Sequence, residues 1–358
     1  MLIVVVRVMQ SVAQPSEDVH MQQIAAREAD ILGLARLMDA QVNQHTNGNV
    51  TSVRKLLEQL DAPINRLAQQ VFVSTKSLEE KKRHELLRWL SAVPFSRHNE
   101  FFSANRIPAT GKWLVSHPQY VTWRASSSSS IMLLHGVAGS GKSSLVSTVI
   151  DSFLQEVPGG VSSAQLAYFY CAKDGFERER SDPDEIMRSL VRQITLDDSH
   201  VHEALIMDFE RREAEAKVDG FDVPRLRVSE CVRLMLDALG ANPAVLVVDA
   251  VDEVQEDRRH ELLDGLCQLT RESAGVVKVF VTSRNNNNIL ALLPGALTIG
   301  IQRDDNKADM ELFVRHHVTR AVKSRRLLNG IISDELEEYL IQMLCAKAEE
   351  MYIEPLDY

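Results

Sequence analysis

The chain has 358 residues, of which 45% are hydrophobic and 25% are charged, a composition typical of folded globular proteins. Its formal net charge of −10 argues against a dominant nucleic-acid-binding surface. The four cysteines lie far apart without C-x-x-C spacing, which predicts reduced thiols and argues against a zinc site. No apolar run approaches the ~20 residues of a membrane span, and the length favours more than one domain.

The amino terminus carries a short apolar run, Met1–Val6, which ends at Arg7. This run is too short for a secretory signal and no basic residue precedes it, so we expect a cytoplasmic protein. Residues 16–75 show apolar positions at helical spacing, interrupted at Asn47–Asn49. Such stripes need a partner, which is either the other helices of a small bundle or a second chain.

A capping box at Ser77–Glu80 predicts a further helix that ends before Pro94. Residues 94–123 follow no clear period, and we expect irregular structure there. The five consecutive serines Ser126–Ser130 predict a short flexible joint ahead of the first strand.

The strongest signal lies at residues 131–145. A short apolar run predicts a buried strand, a helical pattern begins at Leu145, and the segment between them matches G-x-x-x-x-G-K-[ST], the phosphate-binding loop or P-loop. The loop backbone and the helix N-terminus are suited to bind phosphates, Lys142 to reach the β- and γ-phosphates, and the Ser143 hydroxyl to bind Mg²⁺. The predicted nucleotide-binding residues of this loop are Gly136, Val137, Ala138, Gly139, Ser140, Gly141, Lys142, Ser143 and Ser144.

A second decisive stretch is Ala244–Glu253. Its continuous apolar run ends in Asp249, which predicts a strand buried on both faces of a parallel sheet. Ligands bind at the carboxyl ends of such strands, so we expect Asp249 to lie opposite Lys142 and to hold Mg²⁺, directly or through water. Asp252 and Glu253 extend the acidic cluster towards the γ-phosphate, where one of them is placed to orient and polarise the attacking water.

The remaining patterns predict strands at residues 165–171, 276–281 and 297–301 and helices beginning near residues 183, 229 and 307. Residues 201–227 are heavily charged and receive no assignment, and Asn285–Asn288 predict a loop. Arg284 follows one of the strands directly. It is either a group that interacts with the γ-phosphate or an ordinary surface arginine.

Several sequence segments together resemble the NACHT-type P-loop NTPases of the STAND class, in particular fungal NOD-like receptor proteins and the nephrocystin-3-like N-terminal module. The resemblance extends over about residues 80–345. It rests on residues 86–98, residues 110–123, the P-loop, Tyr168–Cys171, Asp249–Glu253 and Thr282–Arg284.

This resemblance implies a switch in which ADP holds a closed form, ATP exchange permits opening and oligomerisation, and slow hydrolysis resets the state. It also implies that Thr110 and Trp113 contribute to the nucleotide pocket and that Arg284 occupies the first sensor position. Ala109 stands where the family often has glycine, which predicts an altered turn. The chain ends at Tyr358 before any winged helix or sensor repeat, so we expect a repeat-less or truncated member.

The predicted fold is α/β: a P-loop NTPase with a mostly parallel five-stranded sheet flanked by helices. We expect a helical adaptor, effector or oligomerisation region at residues 1–75 and a pre-NACHT helix and linker at 76–130. The NACHT core spans 131–302, and a partial helical lid spans 303–358.

The predicted function is binding and slow hydrolysis of ATP or GTP with Mg²⁺ as a signalling switch, and the residues do not decide between the two bases. The expected partners are the nucleotide (ATP/ADP or GTP/GDP) and copies of this chain or other NACHT proteins, without nucleic acid. Two alternatives stay open. One is a P-loop kinase acting on a small acceptor, and the other is a truncated interaction module that binds nucleotide without turnover.

Overall fold

The computed structural model describes residues 19–44, 65–66, 69, 72–73, 76, 80–155, 164–173, 177–197 and 203–351. The chain divides into two compact units, Met1–His84 and Glu85–Tyr358. In the first unit, α1 (Val19–Gln44) forms a long helix in the region where the sequence predicts one. The predicted break at Asn47–Asn49 lies outside the described residues, as does Ser77 of the capping box. The domain limits at residues 75, 130 and 302 stay predictions.

The second unit begins with helical residues 85–90 and continues as an α/β domain. Its helices are α2 (Phe95–Asn105), α3 (Lys112–Ser116), α4 (Pro118–Ala125), α5 (Lys142–Leu154), α6 (Pro183–Asp197), α7 (Glu203–Asp219), α8 (Val228–Leu239), α9 (Arg259–Glu272), α10 (Asn287–Leu292), α11 (Arg303–Lys323) and α12 (Asp334–Met351). Its strands are β1 (Ser130–His135), β2 (Gln165–Tyr170), β3 (Ala244–Asp249), β4 (Val277–Ser283) and β5 (Leu297–Gly300).

Within the described part of the chain, these five strands form one sheet in the order β2-β3-β4-β1-β5, and every pairing is parallel. The predicted α/β fold with a parallel sheet is therefore confirmed. Because β4 lies between β1 and β3, the strand before the P-loop and the strand ending in Asp249 are not neighbours. All the carboxyl ends nevertheless meet at one edge of the sheet, since the strands run in the same direction.

The sheet is buried on both faces, as the strand sequences predict. Alternate residues of β3 point into two separate cores: Leu246 and Val248 into one, Val245 and Val247 into the other. Helices α6, α8 and α9 contribute to the first core and the P-loop helix α5 to the second. The second core therefore fixes the helix that begins at Lys142 against the sheet.

The expectation of irregular structure at residues 94–123 is wrong. Pro94 stands directly before α2 and Pro118 is the first residue of α4, because proline is compatible with a helix start, where its missing N–H is not needed. Helix α4 buries Tyr120 and Trp123 completely. The flexible serine joint is also wrong, since the Ser129 hydroxyl accepts a hydrogen bond from the backbone N–H of Val277 at 3.0 Å.

Two other stretches are more regular than the sequence suggests. The charged segment that received no assignment contains α7, whose buried positions Leu205, Phe209 and Ala216 lie at helical spacing on one face. In the asparagine run, the side chain of Asn286 caps α10 by accepting from the backbone N–H of Asn288 at 2.9 Å, so part of the expected loop is helical.

Replacing Trp123 with alanine should destabilise the second unit strongly. Trp123 is fully buried and its ring lies 5.9 Å from that of Phe280 on β4, so the substitution leaves a large cavity. We expect the free energy of unfolding in urea to fall by about 3–5 kcal/mol. Val121→Ala on the exposed side of the same helix is the matched control. An equal effect of the two substitutions would contradict the described packing.

Candidate nucleotide-binding site

The P-loop joins the end of β1 to the start of α5. Gly139 and Gly141 have positive φ angles of 78° and 83°, a left-handed conformation that glycine adopts without steric cost. The first N–H groups of α5 have no helical acceptor and lie at the positive end of the helix dipole. The loop residues thus form the kind of backbone cradle that fits a phosphate group.

Lys142 is the first residue of α5, and its ammonium group folds back over the loop. Its Nζ donates hydrogen bonds to the carbonyl oxygens of Gly136 at 2.7 Å and Val137 at 2.8 Å. Burial lowers the pKa of Lys142, while the nearby carboxylates of Asp252 and Asp249 raise it in part. The predicted lysine and the predicted acids therefore lie at the same edge of the sheet, within electrostatic range of one another.

Asp249 is the last residue of β3 and is almost completely buried. Burial raises the pKa of its carboxyl group, while hydrogen bonding to the hydroxyls of Ser143 and Thr282 lowers it. The Thr282 hydroxyl donates to Oδ1 of Asp249 and accepts from the backbone N–H of Ala250 at 2.8 Å. The sequence places Thr282 in a segment that carries the family resemblance, but it does not predict this contact with Asp249.

The donor set around Asp249 fits magnesium. A hydroxyl and a carboxylate are the hard oxygen ligands that Mg²⁺ prefers, and Ser143 and Asp249 supply one each. Among the described residues, no group of three His, Cys, Asp or Glu side chains is placed to hold a metal ion. Phosphate oxygens and water would therefore have to complete the coordination of an ion bound here.

Arg284 forms ion pairs with Asp252 and Glu253, the other two predicted acids. Its backbone N–H donates to Oδ1 of Asp252 at 3.0 Å, and its Nε lies 3.2 Å from Oδ2 of the same residue. Its Nη2 donates to Oε1 of Glu253 at 2.6 Å, although more than half of the arginine side chain is exposed. Oε2 of Glu253 also accepts from the backbone N–H of Lys173 at 3.2 Å. Arg284 is thus not an isolated surface arginine.

The segment before the P-loop packs on α5. Gly111, with a φ of 79°, precedes α3, and a Cβ atom there would lie 2.6 Å from Oγ1 of Thr148 on α5. The Thr110 hydroxyl donates to the carbonyl oxygen of Ile107 at 2.7 Å, within its own turn. Trp113 is half-buried against the core that holds α5. Ala109 is left-handed, with a φ of 74°, where glycine would be unstrained.

Comparison with known proteins agrees with this geometry. The family profile described as Nephrocystin 3, N-terminal, matches residues 109–284, a range that begins at the pre-loop segment and ends at Arg284. The vegetative incompatibility protein HET-E-1 of Podospora anserina is 23% identical over 236 residues, or 64% of this chain. The predicted resemblance to the NACHT-type P-loop NTPases is confirmed over these residues.

The chain matches only 16% of the length of HET-E-1. Among solved structures, a DNA replication initiation factor has a TM-score of 0.34 at 13% identity, and the match covers 69% of this chain and 62% of that one. Drosophila ORC bound to DNA has a TM-score of 0.35 at 14% identity, with coverages of 63% and 56%. Within the described parts of the chain, the helices are too short or too polar to cross a membrane.

The position of Thr282 leads to a test of the Asp249 environment. Thr282→Val removes the hydroxyl that donates to the buried carboxylate while keeping the side-chain shape, and Thr282→Ser keeps the hydroxyl. We expect Thr282→Val to weaken binding of a fluorescent nucleoside triphosphate in the presence of Mg²⁺ by about 10-fold, because a hydrogen bond to a charged group contributes 1.5–3 kcal/mol. Thr282→Ser should remain near wild type. Equal affinity of the valine variant and wild type would show that this hydroxyl does not orient Asp249 for binding.

Proposed function

We propose that this chain is a nucleotide-controlled signalling switch that binds a nucleoside triphosphate with Mg²⁺ and hydrolyses it slowly. One observation supports the proposal. The P-loop lysine, the buried Asp249 and the ion pairs of Arg284 with Asp252 and Glu253 lie at a single edge of the sheet. The net charge of −10 favours a small nucleotide over a nucleic acid as the partner.

In this proposal each part of the site has a separate task. The P-loop backbone and Lys142 bind the phosphates, and Ser143 and Asp249 hold Mg²⁺. When bound, the metal ion neutralises charge on the phosphate oxygens. Lys142 can reach a phosphate only by giving up its hydrogen bonds to Gly136 and Val137, so nucleotide replaces contacts that the protein makes with itself.

The acids explain why hydrolysis should be slow. A general base must accept a proton from the attacking water, and Asp252 and Glu253 are the carboxylates placed for this task. Both are paired with Arg284, which occupies carboxylate oxygens that the attacking water would have to approach. Only after Arg284 turns towards the γ-phosphate would Glu253 be able to act as a base. The same movement would make Arg284 a reporter of the triphosphate state.

A binding module without turnover is the second candidate. The ion pairs of Arg284 favour this candidate, because carboxylates paired with an arginine can support nucleotide binding while contributing nothing to hydrolysis. Exposed apolar side chains on α11 and α12 also favour association with another protein, which includes a second copy of this chain. These side chains are Leu312, Phe313, Leu336, Tyr339, Met343 and Leu344.

Lys142 and Glu253 separate binding from hydrolysis. Removing a charged group that binds phosphate costs several kcal/mol, so Lys142→Ala should weaken nucleotide binding by about 100-fold or more. Glu253→Gln should leave binding intact and slow phosphate release about 100-fold, the usual contribution of a general base. Lys323→Ala, an exposed lysine at the end of α11, is the control.

Three results decide between the candidates. Equal nucleotide affinity of wild type and Lys142→Ala would refute the site altogether. Tight binding without phosphate release in wild type would favour the binding module. Transfer of phosphate to a small acceptor, detected by mass spectrometry, would favour a kinase over the switch.

A further inference from the structure

Asp252 and Glu253 lie in a short turn, residues 250–254, that follows β3 directly and that we call the acid turn. It is a 3₁₀ turn entered through a left-handed alanine with a φ of 54°. The side chains of Val251 and Val254 are buried in the first core, whereas the two acids are partly exposed. A turn this short satisfies few of its own carbonyl groups, so the remaining ones need donors from elsewhere.

Arg259, the first residue of α9, supplies these donors. Its Nε donates a hydrogen bond to the carbonyl oxygen of Val251 at 2.9 Å. Its Nη2 donates to the carbonyl oxygens of Asp252 at 2.8 Å and Val254 at 3.0 Å. One guanidinium group therefore binds three carbonyl groups of the acid turn.

The packing of α9 fixes the position of Arg259. Leu262, Leu263 and Leu266 follow it by three, four and seven positions and lie on the same face of the helix. All three leucines are fully buried in the first core, and Arg259 itself is only 8% exposed. The core thus determines the point from which the arginine reaches the acid turn.

The partners of Arg259 differ from those of its neighbour. A buried guanidinium costs free energy unless its donors are satisfied, and among the described residues the partners of Arg259 are carbonyl oxygens rather than carboxylates. The preceding Arg258 forms ion pairs with three acids, which are Asp182, Asp184 and Glu261. Arg258 therefore connects α9 to the start of α6, whereas Arg259 connects α9 to the acid turn.

Two arginines from different elements contact Asp252. Arg284 pairs with its carboxylate from the end of β4, and Arg259 binds its backbone carbonyl from α9. In the proposed hydrolysis, Arg284 turns towards the γ-phosphate and leaves both acids. The hydrogen bonds of Arg259 involve only backbone atoms of the turn, so this movement does not remove them.

We propose that Arg259 is a positioning residue for hydrolysis. It holds the acid turn through three carbonyl groups, so that Glu253 keeps its place beside the attacking water after Arg284 has moved. The inference rests on the proposed function and adds to it the residue that fixes the geometry of the general base. Arg259 acts through the turn and contributes nothing to phosphate binding, which is the task of Lys142.

The test is a double-mutant cycle between Arg259 and Glu253 in the full chain. Arg259→Lys keeps the charge, but an ammonium group does not reproduce the planar fork that reaches three carbonyl groups. We expect this variant to bind a fluorescent, non-hydrolysable triphosphate with Mg²⁺ as tightly as wild type. Phosphate release from ATP or GTP should slow by about 10- to 100-fold, because displacing a catalytic group by about 1 Å costs about 100-fold.

Glu253→Gln provides the readout that a merely structural role would not change. In this variant the base is already absent, so adding Arg259→Lys should slow phosphate release little further. Arg259→Gln removes the buried charge and keeps one amide donor. It is measured in the same way, with the same expected results, so that the outcome does not depend on burying an ammonium group.

Arg258→Lys is the matched control, because it makes the same replacement one position earlier, where the side chain has other partners. It should release phosphate at the wild-type rate. An unchanged rate in both Arg259 variants, a parallel loss of nucleotide affinity, or a full additional loss in the double variant would overturn the inference and leave the proposed function standing. Absence of phosphate release by wild type would instead overturn both.

Discussion

The site depends on one buried charge. Asp249 ends a strand that is covered on both faces, and a carboxylate placed there is costly unless neighbouring groups donate to it. Ser143 and Thr282 supply the hydroxyl donors, and the ammonium of Lys142 lies close enough to be affected by the charge. This requirement ties together the P-loop, β3 and β4. It explains why the three segments must meet at one sheet edge, although they are far apart in the sequence.

Local sequence motifs predicted the separate parts of this site. The contacts that these motifs did not predict result from the order of the strands in the sheet. The P-loop and the strand ending in Asp249 are continuous motifs, so both were readable from sequence. Thr282 acquires its role because β4 is inserted between β1 and β3, and strand order leaves no local pattern. The helices at residues 95–125 were missed because the segment shows no clear helical period, and Pro94, which was taken to end one helix, stands directly before the next.

The same protein groups that would bind nucleotide already bind each other. Lys142 donates hydrogen bonds to loop carbonyl groups, and Arg284 is paired with Asp252 and Glu253. A ligand that replaces such contacts shifts the balance between two arrangements of the protein by its difference in affinity for them. A triphosphate and a diphosphate differ in what they offer Arg284. This difference is a physical basis for a switch that does not require rapid turnover.

The central claim is that Asp249 and the P-loop hold one metal-bound triphosphate between them. The most direct measurement is the binding of a labelled, non-hydrolysable triphosphate to wild type and Asp249→Asn, each titrated with Mg²⁺ and then with EDTA. We expect Mg²⁺ to tighten binding to wild type about 10-fold or more, because even a hydrogen bond to a charged group contributes about 1.5–3 kcal/mol. Mg²⁺ should have little effect on binding to Asp249→Asn. Equal Mg²⁺ dependence of the two proteins would contradict the account.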